Sequence, residues 1–527
     1  MKRLGMAVLV GVFALGSTAC DEFLDVNTNP NAPQEVSPHL YLAPMIHWMV
    51  TGPQFDNRFV NRYTQMWMLP SATAGALPST WDRHGYDPGS DNAAEIWRDT
   101  YWLLGQNLVD MINRAEREQR WDVLGAGYVL KAWAWYNATN LHGEIIISEA
   151  FTPDKYNFAY DSQEFAYQEV LRLLDLAIET LARTDGNISP TYMAVGDKLF
   201  NGDRARWTKY AYGLKARVLN NFSNKASYDP AAVIAAVDLS FQSNAEEALF
   251  KYPNSSTDNS DRNFWGPTRS NIGSYRQTEF AVELMNGTQF TGAVDPRLPR
   301  MLAPAPDSQY RGLSINTGYG SVVRERPNNL WGVAGTGTLP SGQPGRYLWD
   351  DKVSFPVMTY AELQFIKAEA ALRMGNQAMA REAYLKGVAA HIDFVNARNQ
   401  EVGNPEITQI SAAAKAAFLA HPEIAPAVIT LSHILSQKFI ALYGWNGIEV
   451  WMDMRRYHYT DMDPVSGTQV FRGFELPLNF YVDNNGKPVQ RIRPRYNSDY
   501  VWNRAELDKI GGLALDYHTK LMWIIEP

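Results

Sequence analysis

The sequence predicts a mostly α-helical protein, an irregular scaffold of helical hairpins whose long loop-rich insertions form a ligand face. Three observations predict it. Apolar residues recur at helical spacing through two long regions, strand-like alternation is scarce, and one helix is apolar on two opposed faces. Of 527 residues, 46% are hydrophobic and 20% charged, the composition of a globular chain. A disordered chain, a fibre and a disulfide-stapled scaffold are excluded, the last because Cys20 is the single cysteine. A net charge of −8 without any basic block excludes a phosphate-tracking nucleic-acid binder.

In chain order, the first element is a leader. Lys2 and Arg3 precede an apolar run over 4–15, followed by Gly16, Ser17, Thr18, Ala19 and Cys20. This is the pattern of a secretory signal peptide over 1–19. The run is too short for a bilayer span, which takes about 20 apolar residues, and no later segment reaches that length. Cys20 stands where a lipoprotein signal peptidase would leave it as the new first residue, acylated (palmitate or a similar chain). Ser17, Thr18 and Ala19 also fit ordinary cleavage after Ala19. Loss of Lys2 and Arg3 lowers the net charge from −8 to −10. An acidic protein on an anionic membrane must be held by lipid rather than by charge.

The helices follow. Trp97, Tyr101, Leu104, Leu108, Met111, Ile112 and Ala115 share one helical stripe. Leu174, Ala177, Ile178 and Leu181 form a second, and Trp207, Tyr210, Ala211, Leu214 and Val218 a third. Asp161 and Asp203 are placed as N-terminal caps for the second and third. Over 361–373, Leu363, Ile366 and Ala370 share one face, and Phe365, Ala368 and Leu372 the opposite one. A helix apolar on two sides needs neighbours on both, as stacked hairpins provide. Gly375 and Asn376 break it, and Ala380 and Tyr384 open the next helix with the small-x3-aromatic spacing of a tetratricopeptide hairpin. An irregular solenoid accounts for about 500 residues in one domain, 20–527. Its helical scaffold covers about 35–250 and 356–460, its loop-rich insert about 251–355, and its C-terminal segment 461–527.

Between 251 and 355 the helical pattern fades, and 311–345 holds eight glycines. Loops this long inside a compact chain usually carry function. Aromatic side chains on loops can stack on sugar rings or pack on peptide side chains, while Asn and Arg hydrogen-bond beside them. The candidate ligand-binding residues are therefore Trp81 and Tyr86 in a second loop over 76–92, and Trp265, Asn271, Tyr275, Arg276, Tyr319 and Trp331 in the insert. Trp97, Trp133 and Trp207 lie on periodic helices and are expected in the core.

Catalytic signatures are missing. Cysteine-based catalysis and zinc–cysteine sites are excluded, and no HExxH, G-x-S-x-G, P-loop or dinucleotide fingerprint occurs. His142, Gly143 and Glu144 look like half a zinc deaminase motif without its cysteines. His391, between Val388 and Ile392 on a helix, is expected to be a hydrogen-bonded core residue. Neither a catalytic residue, a metal nor a cofactor is expected.

Taken together, the chain resembles the SusD/RagB-type (SusD-like) outer-membrane nutrient-binding lipoproteins. The similarity begins at Cys20-Asp21-Glu22-Phe23-Leu24-Asp25. It continues through LKAWAWYNATNLHGEIIISEAF within 127–151, DKLFNGDRARWTKYAYGLKAR over 197–217, and Asp295-Pro296-Arg297-Leu298. FPVMTYAELQFIKAEAALR over 355–373, GIEVWMDMRR over 447–456, Arg493-Pro494-Arg495-Tyr496 with Asn503, and Lys520-Leu521-Met522-Trp523 complete it. Single motifs are weak; eight in order are strong. Asn140, Leu141 and His142 and then Ile146 and Ile147 depart from the family's usual turn.

The resemblance implies a lid over a TonB-dependent outer-membrane transporter of the SusC/RagA type in a Gram-negative bacterium. Such a protein captures an oligosaccharide or peptide, needs no cofactor, and is anchored through lipid at Cys20. It also implies structural ion pairs, not catalysis, at Glu449, Asp453 and Arg455. Two other classes stay open: a surface glycoside hydrolase, which needs two facing acids, and a protein-binding helical scaffold.

Overall fold

The computed structural model describes residues 36–527 apart from 72, 88, 254–258, 341 and 495. The leader, Cys20 and the motif that follows it lie outside the described residues, as does Arg495 of the C-terminal motif.

The chain is mostly helical, as its periodicity predicts. The principal helices are α1 (Leu42–Tyr63), α2 (Gly105–Arg117), α3 (Trp121–His142), α4 (Gln163–Ala182), α5 (Arg204–Asn221), α6 (Pro230–Asp238), α7 (Tyr360–Arg373), α8 (Gln377–Val402), α9 (Leu431–Leu442) and α10 (Gly447–Arg456). Each of α2 to α8 packs against the next in sequence, and α7 also meets α9. α1 closes onto α10. The core formed this way is one contiguous set of buried side chains running from Leu42 to Ile525.

Two sequence features explain the stacking. In α3, only Tyr128 and Lys131 escape burial, so this helix has neighbours on all sides. Gly125 and Gly127 admit them: a Cβ at Gly125 would stand 2.5 Å from Leu181 of α4, and one at Gly127 2.7 Å from Met111 of α2. Both expected faces of α7 pack inward, with Leu363, Phe365, Ile366, Ala368 and Ala370 buried. The turn into α8 falls at Gly375, and Asn376 caps α8 by accepting from the Met379 amide at 3.1 Å.

The capping expectations divide. Asp203 caps α5, accepting from the Arg206 amide at 3.1 Å. Asp161 does not cap α4. Ser162 does, accepting from the Phe165 amide at 3.2 Å, while Asp161 accepts from the amides of Ile147 and Ser148 at 2.7 and 2.8 Å. A carboxylate one residue early is better placed to hold the preceding turn than the first helical amides.

Strands are few and short. β1 (Trp67–Met68) pairs antiparallel with β3 (Arg276–Gln277), and β2 (Ala248–Lys251) with β4 (Ser354–Met358). The β2–β4 ladder sets Phe250 opposite Phe355 and zips together the two ends of the 251–355 insert. β3 then staples the first third of the insert to the segment after α1. The loops thus start from a rigid base.

Candidate ligand-binding face

The loop face is built on buried aromatic pillars. Trp265 packs on Trp67, Trp349 and Phe355 at 5.4, 5.6 and 5.2 Å between ring centroids, and its indole N–H donates to the Gln54 carbonyl at 3.0 Å. Trp331 donates in turn to the Trp265 carbonyl at 3.1 Å. Trp81 lies on Phe59 and Tyr63, and Tyr275 beside Trp67. Tyr86 donates to Asp483 at 2.6 Å and stacks under the Arg493 guanidinium, tying 76–92 to the C-terminal segment. Arg276 donates through its two terminal nitrogens to the carbonyls of Gly273, Tyr275 and Gly335. Burial lowers its guanidinium pKa, and its Nε is buried without a hydrogen-bond partner among the described residues.

Six of the eight expected ligand residues, Trp81, Tyr86, Trp265, Tyr275, Arg276 and Trp331, are therefore buried. Only Asn271 and Tyr319 keep part of their surface open. Asn271 donates to the Phe264 carbonyl at 3.0 Å, and Tyr319 carries the Arg326 guanidinium 4.9 Å above its ring. The physical reason is area: an indole buries more apolar surface than any other side chain, so a long loop gains by folding over it. Position on a loop does not by itself give exposure.

The open surface belongs to other residues. A cavity of about 280 Å³ is lined by Glu279, Glu283, Tyr310, Arg311, Glu325 and Arg326. A second of about 260 Å³ shares Glu279, Glu283 and Leu313 with it and adds Gln65, Ser314 and Glu475. Burial, with Glu283 and Glu475 nearby, raises the Glu279 pKa. A third cavity of about 510 Å³ opens between Arg262, Thr268, Gln343 and Lys352. All three belong mainly to the 251–355 insert. The sequence did contain a signal for the first pair, since Glu279 and Glu283 are like charges at i,i+4 on the short helix Glu279–Glu283, a spacing that weakens an isolated helix.

The residues that invited a catalytic reading form a buried structural network. Asp453 pairs with Lys438 at 2.7 Å and Arg456 at 2.6 Å, and Arg456 reaches Glu369 at 2.7 Å. Glu449 lies 3.9 Å from Arg217, and burial pushes its carboxyl up to about 7. Arg455 donates to the carbonyls of Asn140 and Gln490. His391 is buried, with its Nδ1 2.9 Å from Arg297; burial and that cation lower its pKa. Among the described residues no group of three His, Cys, Asp or Glu could hold a metal ion, and no helix is long and apolar enough to cross a membrane.

A family model described as "Starch-binding associating with outer membrane" matches residues 30–474. The chain belongs to this SusD-like family. Solved structures agree in fold. A SusD/RagB family protein from Bacteroides thetaiotaomicron is 21% identical, with a TM-score of 0.68 covering 93% of this chain and 99% of that one. A SusD homologue from Bacteroides fragilis is 18% identical, with a TM-score of 0.69 over 93% and 100%. A chitin-binding SusD homologue from Flavobacterium johnsoniae is 19% identical, with a TM-score of 0.66 over 93% and 98%. No curated protein matches the sequence. At these identities the SusD-like structures establish the fold, and the SusD-like family establishes an outer-membrane nutrient-binding class.

Proposed function

We propose that this protein is a cell-surface nutrient-binding lipoprotein that captures an oligosaccharide and delivers it to a TonB-dependent transporter of the SusC/RagA type, closing over it as a lid. The observation that carries this reading is the family match over 30–474, joined to a fold shared along 93% of the chain. The family's starch-binding description and the chitin-binding neighbour favour a sugar over a peptide.

The physics is consistent with that role. A helical scaffold with one contiguous core offers a rigid body for docking, and the zipped insert presents clefts on its loops. Ligand need only bind the closed state better than the open one to shift the balance between them. Acylation at Cys20 would hold the protein beside its barrel at high effective concentration. Energy for uptake would come through the transporter, so the binder itself requires no cofactor and no catalytic pair.

Native mass spectrometry of the protein extracted from its own outer membrane in mild detergent tests the reading. The expected result is a complex with a large β-barrel, with added sugar mass on a fraction of it. A bare monomer, under conditions that keep other membrane complexes together, would overturn the lid.

A further inference from the structure

A cavity of about 1050 Å³, larger than each of the three in the insert, opens at the C-terminal end of the chain. Its walls come from the turn after α3, the segment after α10 and residues 487–526, and none of them belongs to the 251–355 insert. Gln490 lines it and is 6% exposed. The main chain is pinned there. The Gln490 N–H donates to the His518 carbonyl at 2.7 Å, and the Gln490 carbonyl accepts from Arg455, also at 2.7 Å. The side-chain amide is left over: its Oε1 is buried without a hydrogen-bond partner, and among the described residues its nitrogen has none either. A buried polar group that makes no bond costs stability. An amide held in this way calls for a partner from outside the chain.

The rest of the lining narrows the choice of partner. Three aromatic rings border the cavity, and none is open. Tyr459 and Tyr517 are 1% and 3% exposed. The Trp523 ring carries the Lys225 ammonium 4.1 Å from its centroid and packs edge-on against Phe222. A sugar therefore finds no free ring to stack on. The apolar surface is aliphatic instead, from Pro488, Ile510, Ala514 and Leu521. Charged groups of both signs complete the lining, Lys487, Lys509 and Lys520 with Glu144, Asp516 and Glu526. Glu144 is already bound by Arg491 and by Lys520 at 3.1 Å, and Lys509 pairs with Glu506 at 2.6 Å. Lys487 is exposed, and among the described residues it pairs with no carboxylate.

We propose that this cavity docks an extended segment of a partner protein in which aliphatic side chains alternate with acidic ones. A primary amide offers one acceptor and two donors, the complement of a main-chain N–H and C=O, so Gln490 engages the segment's backbone. Aliphatic side chains cover Pro488, Ile510 and Leu521, and a carboxylate reaches Lys487. The contact lies apart from the loop-face cavities, and nutrient capture there does not depend on it.

The test is fluorescence polarisation on the mature protein in mild detergent, with detergent alone as the blank. The probe is the heptapeptide Ala-Leu-Asp-Leu-Asp-Leu-Ala, capped with fluorescein at one end and amidated at the other, beside a version with Lys at both Asp places. The acidic probe is expected to bind at least tenfold more tightly than the basic one. Gln490→Leu should weaken it about tenfold while holding or raising the melting temperature, because the variant buries no unbonded amide. A glutamine with a structural role only would lose stability and keep affinity. Lys487→Glu, at the surface, should leave the melt unchanged and reverse the preference toward the basic probe. If neither capped probe binds, or if both variants bind the acidic probe as the parent does, the docking site is wrong. Binding only by the same peptide with free termini would make the cavity a trap for small peptides, since an internal segment has no charged ends, and would overturn docking as well.

Discussion

Arg217 of α5 meets Glu362 of α7 in a two-pronged ion pair, both prongs 2.8 Å, with the two side chains 4% and 0% exposed. The pair belongs to the buried network that continues through Glu449, Asp453, Arg456 and Glu369 and joins α5, α7, α9 and α10. Burial pushes the Glu369 carboxyl up, but the Arg456 guanidinium beside it wins and holds it far below the usual range. Removing one partner strands the other charge in the core. Glu362→Gln is expected to cost about 3–5 kcal/mol, read as a lower denaturant midpoint. A paired Arg217→Met/Glu362→Leu replacement should recover much of that loss. Equal losses in the single and double variants would show that the pair does not act as a unit.

Trp265 separates a pillar from a ligand contact. Its ring fills the space between Trp67, Trp349 and Phe355, and its N–H fixes the loop to α1. Trp265→Ala should destabilise the protein by about 3–5 kcal/mol, the usual cost of emptying such a site. Thermal melting followed by near-ultraviolet circular dichroism reads it. An unchanged melt with weaker sugar binding would return this residue to the ligand surface.

Legibility in the sequence followed the strength of local patterns. The two-faced helix α7, the break at Gly375 and Asn376, the cap at Asp203 and the core histidine His391 were all readable, because each depends on spacing within a few residues. Asp161 and Ser162 compete for one cap, and their order is settled by a turn some fourteen residues upstream that no local rule contains. The loop aromatics were harder still. Nothing near Trp265 or Trp331 in the chain shows that β2 and β4 close the insert and fold it over Trp67. The cavity beside Glu279 and Glu283 left one local trace, the like charges at i,i+4, which aromatic content does not reveal.

Asp99 gives a pH dependence that can be isolated. Its carboxyl is buried beside Asp56 and Glu95, neither oxygen has a hydrogen-bond partner among the described residues, and burial raises its pKa well above the usual carboxylate range. The folded state thus holds this proton more tightly than the unfolded chain does. Its contribution to stability is complete below the unfolded pKa and is lost as pH rises toward the folded one. Asp99→Asn cannot titrate. The stability of the variant relative to the parent should therefore climb by about 1.4 kcal/mol per pH unit above pH 4. The amide's own burial cost sets the offset and not the slope. Parallel stability curves from pH 4.5 to 7 would show that Asp99 is ionised in the fold.

Arg326 tests the loop-face cavities directly. Its guanidinium rests on Tyr319 and opens onto the same cavity as Glu279 and Glu283. Its Nε donates to the Gly320 carbonyl at 3.1 Å, and the other guanidinium N–H groups can serve a ligand hydroxyl. Arg326→Ala removes charge-assisted bonds worth about 1.5–3 kcal/mol, so sugar affinity measured by calorimetry should fall about ten- to a hundredfold. Because the side chain sits at the surface of a cavity and not in the core, the melting temperature should move little. Glu279→Gln should leave the cavity's shape intact and lower affinity less, since an amide still hydrogen-bonds hydroxyls. If both variants bind sugar as the parent does, the ligand lies away from these two cavities, and the 510 Å³ cavity beside Arg262 and Lys352 becomes the next place to mutate.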